Sequence, residues 1–322
     1  MTKARIWKER LIGVWLAGTA AVLALGLFSH VFPSADPLLG TLARMTDSAR
    51  VHLLGLSVLL ALGLALLRVR WIAAGVALAA ALGLVLIVVD YRARVAPVGE
   101  RADLTVLWHN VFKFNALDVP GFADGLRASG ADLVILAEAE PAMDLPPLVA
   151  DVYPHRLGCD GVDPEDCNLM ILSKVPLDNA DLAPLSMGPE RLARIRVETP
   201  EGPIDIIAAH MIKPWIVAMS LRDETSIWRA ILRRDQVPYI LVGDLNAAPW
   251  SARLRRMQDR HDLRHWRWPE PTWPVKLGAA GLPIDHVLAS EGVAITDYAT
   301  WSGYGSNHMG ITASVQLQGG AD

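Results

Sequence analysis

Tyr239-Ile-Leu-Val-Gly-Asp-Leu-Asn-Ala-Ala-Pro-Trp250 is the stretch on which the reading of this chain turns. Tyr239 to Gly243 is apolar, rich in β-branched and aromatic residues and entered through Pro238, the pattern of a short buried strand. Asp244 and Asn246 stand just past its end, and Ala247-Ala-Pro249 then forces a loop. A carboxylate and a carboxamide pushed out of an apolar strand end are costly unless they find partners. A helix cap or Asx turn would account for this pair taken alone. The same design recurs elsewhere, however, with polar residues at apolar segment ends at Asn110, Glu138, His210, Asp285 and His308.

Working outward, Leu104–Trp108, Leu133–Leu136, Leu169–Leu172, Pro283–Leu288 and Ile311–Leu317 read as further strands. Leu192–Val197, the Pro200-Glu-Gly-Pro203 turn and Ile204–Ala209 read as a hairpin with His210 at its exit. Residues 119–129 are predicted helical, opening after Asp118 and closing at Gly130. Further helices are expected over 217–234 and from about 251. Short strands outnumber helices, and hairpins mix with helical crossovers. The expected class is mixed α/β: a four-layer sandwich with two facing mixed sheets and helices outside. Polar strand ends then meet on one rim, where loops carry function.

The front of the chain is different. The 322 residues are 52% hydrophobic with a mean hydropathy of +0.30. Much of this excess lies in charge-free runs over 11–32, 51–67 and 71–89. At about 1.5 Å per residue such helices approach or exceed the roughly 30 Å hydrocarbon core of a bilayer. A cleaved signal peptide or buried core helices are the other readings. The first run is longer than a signal-peptide core and no clear cleavage site follows it. Three N-terminal transmembrane helices are therefore expected, over about 11–32, 51–67 and 71–90, with 92–102 as a tether and 103–318 as the second domain. Lys3, Arg5, Lys8 and Arg10 precede the first span, and Arg68 and Arg70 fill the turn between the second and third. The positive-inside rule places both in the cytoplasm. The domain after Asp90 is then extracytoplasmic, the chain a multi-pass protein of the cell (inner) membrane, and the lipid bilayer its partner; no protein partner is evident.

The two cysteines, Cys159 and Cys167, flank a turn-rich acidic loop. A disulfide there would persist in an oxidising compartment; two separate buried thiols is the alternative. Residues 1–102 hold 11 Lys and Arg against 5 Asp and Glu, leaving 19 against 29 in the rest, a net −10. That disfavours sequence-blind nucleic-acid binding, which rests on phosphate neutralisation. Arg253, Arg255, Arg256, Arg260, Arg264 and Arg267 form a local exception, read as a solvated helix face, with a polyanion patch as the alternative.

Seven motifs in order carry a resemblance: Trp108-His-Asn110, Asp132-Leu-Val-Ile-Leu-Ala-Glu138, Leu172-Ser-Lys-Val-Pro176, Ala209-His210, Gly243-Asp-Leu-Asn-Ala-Ala-Pro249, Ile284-Asp-His-Val-Leu288 and Ser306-Asn-His308. Residues 103–318 resemble the endonuclease/exonuclease/phosphatase superfamily, which includes deoxyribonucleases, abasic-site endonucleases, sphingomyelinases and inositol-polyphosphate phosphatases. The apolar runs in front, and Pro271-Thr-Trp-Pro274, look like a membrane-tethered bacterial branch. The resemblance implies that Glu138 and Asn110 hold a divalent cation and that Asp244 orients or deprotonates the attacking water. It implies that Asn246 holds a phosphate oxygen, that His210 and His308 bind the phosphoryl group, and that Asp285 orients His308. The chain departs from the pattern at Asn307, where the family usually has a metal-binding Asp, and at Phe112, where it often has an acidic residue.

The chemistry of the residues agrees. Hydrolysing a phosphate ester requires lowering the barrier by on the order of 20 kcal/mol, and one general base supplies only roughly 3–5 kcal/mol. A metal that stabilises charge is expected. Hard oxygen ligands suit Mg²⁺ or Mn²⁺. The expected function is a membrane-anchored phosphoesterase acting on phosphodiester (nuclease-like) or phosphomonoester bonds of nucleic acid or a phospholipid head group. The alternative is a non-catalytic membrane receptor or scaffold that kept the fold. His109, His155, His261, His265 and His286 are expected to be structural or solvated.

Overall fold

A computed structural model describes residues 3–32, 36, 38–233 and 237–318. The chain forms two compact units. The first comprises Met1–Ala93 together with Ala248–Arg255; the second comprises Arg94–Ala247 and Arg256–Asp322.

The helical unit contains α1 (Lys3–Phe28), α2 (Leu39–Asp47), α3 (Arg50–Leu66) and α4 (Arg70–Arg92). Two helical stretches, Arg5–Val31 and Arg70–Arg92, are long and apolar enough to cross a membrane. Their outward side chains are apolar, Trp71 being 92% exposed. The second expected span differs. The 17-residue α3 reaches spanning length only in combination with α2, across an 81° bend. The segment before it coils into α2, with its apolar residues on one face. Leu39, Leu42 and Met45 lie outward, whereas Gly40, Ala43, Arg44 and Asp47 are buried.

The second unit is a sandwich of two mixed sheets. The first sheet has the order β10 (Val293–Trp301), β11 (Gly310–Leu317), β1 (Leu104–Asn110), β2 (Leu133–Ala137), β4 (Met170–Ser173), β3 (His155–Leu157). The second has the order β5 (Asp178–Leu185), β6 (Gly188–Thr199), β7 (Gly202–His210), β8 (Tyr239–Asp244), β9 (Asp285–Ala289). Among the neighbouring strands described, β1–β2 and β7–β8 pair in parallel and the others antiparallel. Alternation assigns each strand residue to a face. Val106, Trp108, Leu133 and Ile135 meet Ile204, Ile206, Ile240 and Val242 between the sheets. Leu107, Val134 and Leu136 face the other way, towards Phe122 and Leu126 of α5 (Val119–Ser129) and Val149 of α6 (Pro146–Val149). α5 has the predicted bounds, with Asp118 accepting from the Gly121 N–H and Gly130 left-handed at φ 71°. The helix predicted over 217–234 is α7 (Val217–Leu232); Arg234 lies outside the described residues.

The helix from about 251 is α8 (Ala252–His261), and its arginines are not simply solvated. Arg253 is buried, and Arg255 pairs with Asp90 at 3.0 Å. Both belong to the helical unit. The cysteines are joined, Cys159 to Cys167.

This topology positions the polar strand ends. β1 and β2 run parallel and finish together at Asn110 and Ala137, with Glu138 next. β7 and β8 finish together, His210 opposite Asp244, and antiparallel β9 begins with Asp285 opposite Asp244. Gly243 permits the close approach of β8 to β7. Its φ is +155°, and a Cβ there would collide with the Ala209 carbonyl oxygen.

Candidate active site

Asn110, Glu138, His210, Asp244, Asn246, Asp285 and His308 form one linked cluster. Asp244 lies at its centre. Its Oδ2 accepts from Asn110 Nδ2 at 3.2 Å and lies 3.9 Å from both His210 Nε2 and His308 Nε2. Its Oδ1 accepts the Asn246 N–H at 2.9 Å. Glu138 Oε1 is 3.6 Å from His210 Nε2, and its Oε2 accepts the Lys113 N–H at 2.9 Å. Glu138 and Asn246 hold left-handed backbone conformations, φ 47° and 49°, which non-glycine residues adopt seldom and which concentrate at functional sites. Asn246 Nδ2 donates to the Met211 carbonyl at 2.9 Å.

Asp285 Oδ2 is 2.8 Å from His308 Nδ1, and its Oδ1 accepts from Trp108 Nε1 at 2.8 Å. Burial would pull the His308 imidazole down, but the Asp285 charge and hydrogen bond, with Asp244 and Glu138 behind them, raise it to about 9. Burial would likewise raise Asp285. The His308 charge and hydrogen bonds from His308, Thr272 and Trp108 outweigh it and hold the carboxyl low. His308 is therefore an imidazolium at neutral pH, with Nε2 directed at Asp244. Asp244 is driven the other way. Burial first, then the Asp285 charge, raise it to about 7. His210 is held neutral, well below its ordinary value, by burial and by the Arg191 charge.

Two residues at the site carry no signal in the sequence reading. Asn168 Oδ1 lies 3.0 Å from His210 Nδ1. An amide oxygen only accepts, so this contact puts the His210 proton on Nδ1 and leaves Nε2 a lone pair facing the carboxylates. Arg191 is buried, donates from Nε to the His210 carbonyl at 3.2 Å, and stands in the fields of Glu138 and Asp244. Asn168 precedes β4 in a loop, and Arg191 sits in a hairpin strand of ordinary pattern; the pairing of distant segments reveals them. Among the other histidines, His265 Nδ1 contacts the Trp266 carbonyl and His286 Nε2 the Ala247 carbonyl. His109 is wholly buried among Phe122 and Trp301.

A divalent cation fits this donor set on a specific observation. Asn307 Oδ1 is a buried carbonyl oxygen with no hydrogen-bond partner. Such an orphaned acceptor is the kind of hard oxygen that a cation can satisfy. Asp244, Asp285 and His308 also lie close enough to hold an ion. Both Asp285 oxygens already hold hydrogen bonds, to His308 and to Trp108, so the oxygen set is the better fit.

Neutral and charged histidines facing buried carboxylates at the rim of a two-sheet sandwich suit a hydrolase acting on phosphate esters. The chain belongs to the Endonuclease/Exonuclease/phosphatase family, whose profile matches residues 107–308. Solved structures share the fold. An endonuclease/exonuclease/phosphatase from Beutenbergia cavernae is 21% identical, with 67% of this chain and 72% of that one covered and a TM-score of 0.54. A functionally unknown conserved protein from Enterococcus faecalis is 17% identical over 66% and 100% of the two chains, TM-score 0.54. A humanized D. rerio TDP2 is 15% identical over 66% and 99%, TM-score 0.52. No curated protein matches the sequence.

Proposed function

We propose that this chain is a membrane-anchored, Mg²⁺- or Mn²⁺-dependent phosphoesterase whose substrate is a phosphodiester or phosphomonoester presented outside the cytoplasm. The observation that carries the reading is the linked Asp285–His308–Asp244–Asn110 chain, closed on its other side by His210 and Glu138. The apolar helices support the anchor, and the Cys159–Cys167 disulfide supports an oxidising compartment.

Glu138 and Asn110 would hold the cation, with Asn307 contributing its free oxygen. The cation would supply charge stabilisation at the phosphoryl oxygens. The protein's own groups divide the remaining work. Asp244, near neutrality in its proton affinity, takes a proton from the attacking water. The His308 imidazolium, oriented and kept charged by Asp285, donates from Nε2 to the phosphoryl oxygen as negative charge grows there. Neutral His210, its proton held on Nδ1 by Asn168, accepts at Nε2 only, and Asn246 helps orient the phosphate.

The test is hydrolysis of bis(p-nitrophenyl) phosphate by the full chain in detergent. Mg²⁺ or Mn²⁺ should be required, and His308→Ala should lower kcat by roughly 10²–10³-fold, the range for losing one charge-stabilising donor. Activity that survives both chelation and this substitution would sink the mechanism. Comparing a single-stranded oligonucleotide with phospholipid vesicles then assigns the substrate class.

A further inference from the structure

The segment immediately after the proposed catalytic loop belongs to the helical unit, although it lies inside the family match. Ala248 comes two residues after Asn246. The Ala248 N–H donates to Ser48 Oγ at 3.1 Å, and Trp250 Nε1 donates to the Ser48 carbonyl at 2.8 Å. The Ala252 N–H donates to Asp47 Oδ2. Ala248 is fully buried and Trp250 nearly so, and they pack with Leu54, Ala80 and Ile87. The buried backbone N–H of Ala248 and the half-buried one of Ala252 would be costly without acceptors. Asp47 and Ser48, in the corner between α2 and α3, provide both.

We propose that Asp47 and Ser48 are positioning residues for catalysis, gripping the chain just beyond Asn246 so that the Asp244–Asn246 turn keeps its working shape. This rests on the roles given above to Asp244 and Asn246. On its upstream side the turn is fixed by β8 and by the Leu245 N–H on the Ile284 carbonyl, and its first downstream bond is His286 Nε2 on the Ala247 carbonyl. Beyond Ala247, the next hydrogen-bonded anchors are Ser48 and Asp47. Asn246 is left-handed, and its N–H is one of the bonds that hold Asp244 Oδ1. A turn in that conformation persists only when its surroundings over-determine it. Releasing the downstream anchor lets Asn246 relax and Asp244 lose its aim, and small misplacements of catalytic groups cost up to about 10²-fold in rate.

The experiment uses the full chain in detergent with bis(p-nitrophenyl) phosphate and Mn²⁺. The double variant Asp47→Ala, Ser48→Ala is expected to lose at least about tenfold in kcat with KM within about twofold, the signature of lost transition-state geometry rather than lost binding. Asp47→Asn with Ser48→Thr restores both acceptor oxygens and should recover activity to within about threefold of wild type. Backbone hydrogen exchange at Asn246, Ala248 and Ala252 should accelerate at least about tenfold in the double alanine variant. If that variant does not fold, Ser48→Ala alone is measured, with acceleration expected at Asn246 and Ala248. Unchanged kcat in a folded variant, or unchanged exchange at Asn246, overturns the proposal. A wild-type chain without hydrolytic activity would instead defeat the function proposed above, and exchange at Asn246 would still decide whether the grip exists.

Discussion

His308 and Asp244 differ in what fixes their protonation. His308 keeps its proton because Asp285 faces Nδ1; Asp244 holds one more readily than an ordinary carboxyl because it is buried near Asp285. If ionised Asp244 is the base and protonated His308 the donor, activity rises as pH passes about 7 and falls as it passes about 9. The two limbs belong to the interacting pair. A bound cation would move the lower limb down, by favouring the carboxylate. Asp285→Asn removes the main group that raises His308, so the upper limb should move towards lower pH, which a pH–kcat/KM profile reads directly. Stability has its own sign. The folded pKa of His308 lies above its unfolded value of 6.5, so its contribution is complete below 6.5 and disappears as pH climbs through about 9. The melting temperature of chelated protein should lose that part of its pH slope in His308→Gln.

Elements matter here because strand ends must coincide, and β8 shows the tightest constraint. Gly243 has no room for a Cβ against the Ala209 carbonyl and adopts a backbone angle that disfavours side chains. Gly243→Ala should therefore destabilise by several kcal/mol, above the roughly 1 kcal/mol typical of substitutions, and should push His210 and Asp244 apart; urea denaturation and kcat would both report it. The 159–167 loop is the opposite case, since its disulfide acts on the unfolded chain. Cys159→Ser should cost about 2–3 kcal/mol for so short a loop. The Tyr239–Asp244 strand, α5 and the motif residues were legible in the sequence because each has a local signature: a β-branched run, a cap, a polar residue at an apolar end. Other features have none. β5 carries exposed polar residues, and β3 has three residues, so neither shows a buried-strand pattern. Asn168 acquires its role only when β4 and β7 bring it to His210. The grip on Ala248 joins positions 200 apart in sequence, and Ser48 looks there like any helix-end serine. The arginines of α8 look solvated in the sequence because helix periodicity does not reveal which unit a helix start packs in.

At the scale of the whole molecule, charge separates the substrates that the site's chemistry leaves open. The overall −4 conceals a net −10 beyond residue 102, so a polyanion approaches a repelling field. A nuclease that binds by neutralising phosphates loses affinity as salt rises, because released counterions return to a more concentrated solution. Here the long-range term has the opposite sign: salt screens the repulsion, whose range is about 10 Å at 0.1 M. The expected outcome is that kcat/KM on a single-stranded oligonucleotide rises between about 10 and 150 mM salt. With zwitterionic phospholipid vesicles, which present no net charge, it should stay nearly flat. Apolar helices that could hold the chain in the same bilayer favour the second substrate further, since tethering raises effective concentration without any new contact. A steep fall in oligonucleotide turnover with salt would instead reveal a local basic track that outweighs the net charge, and would move the substrate assignment to nucleic acid.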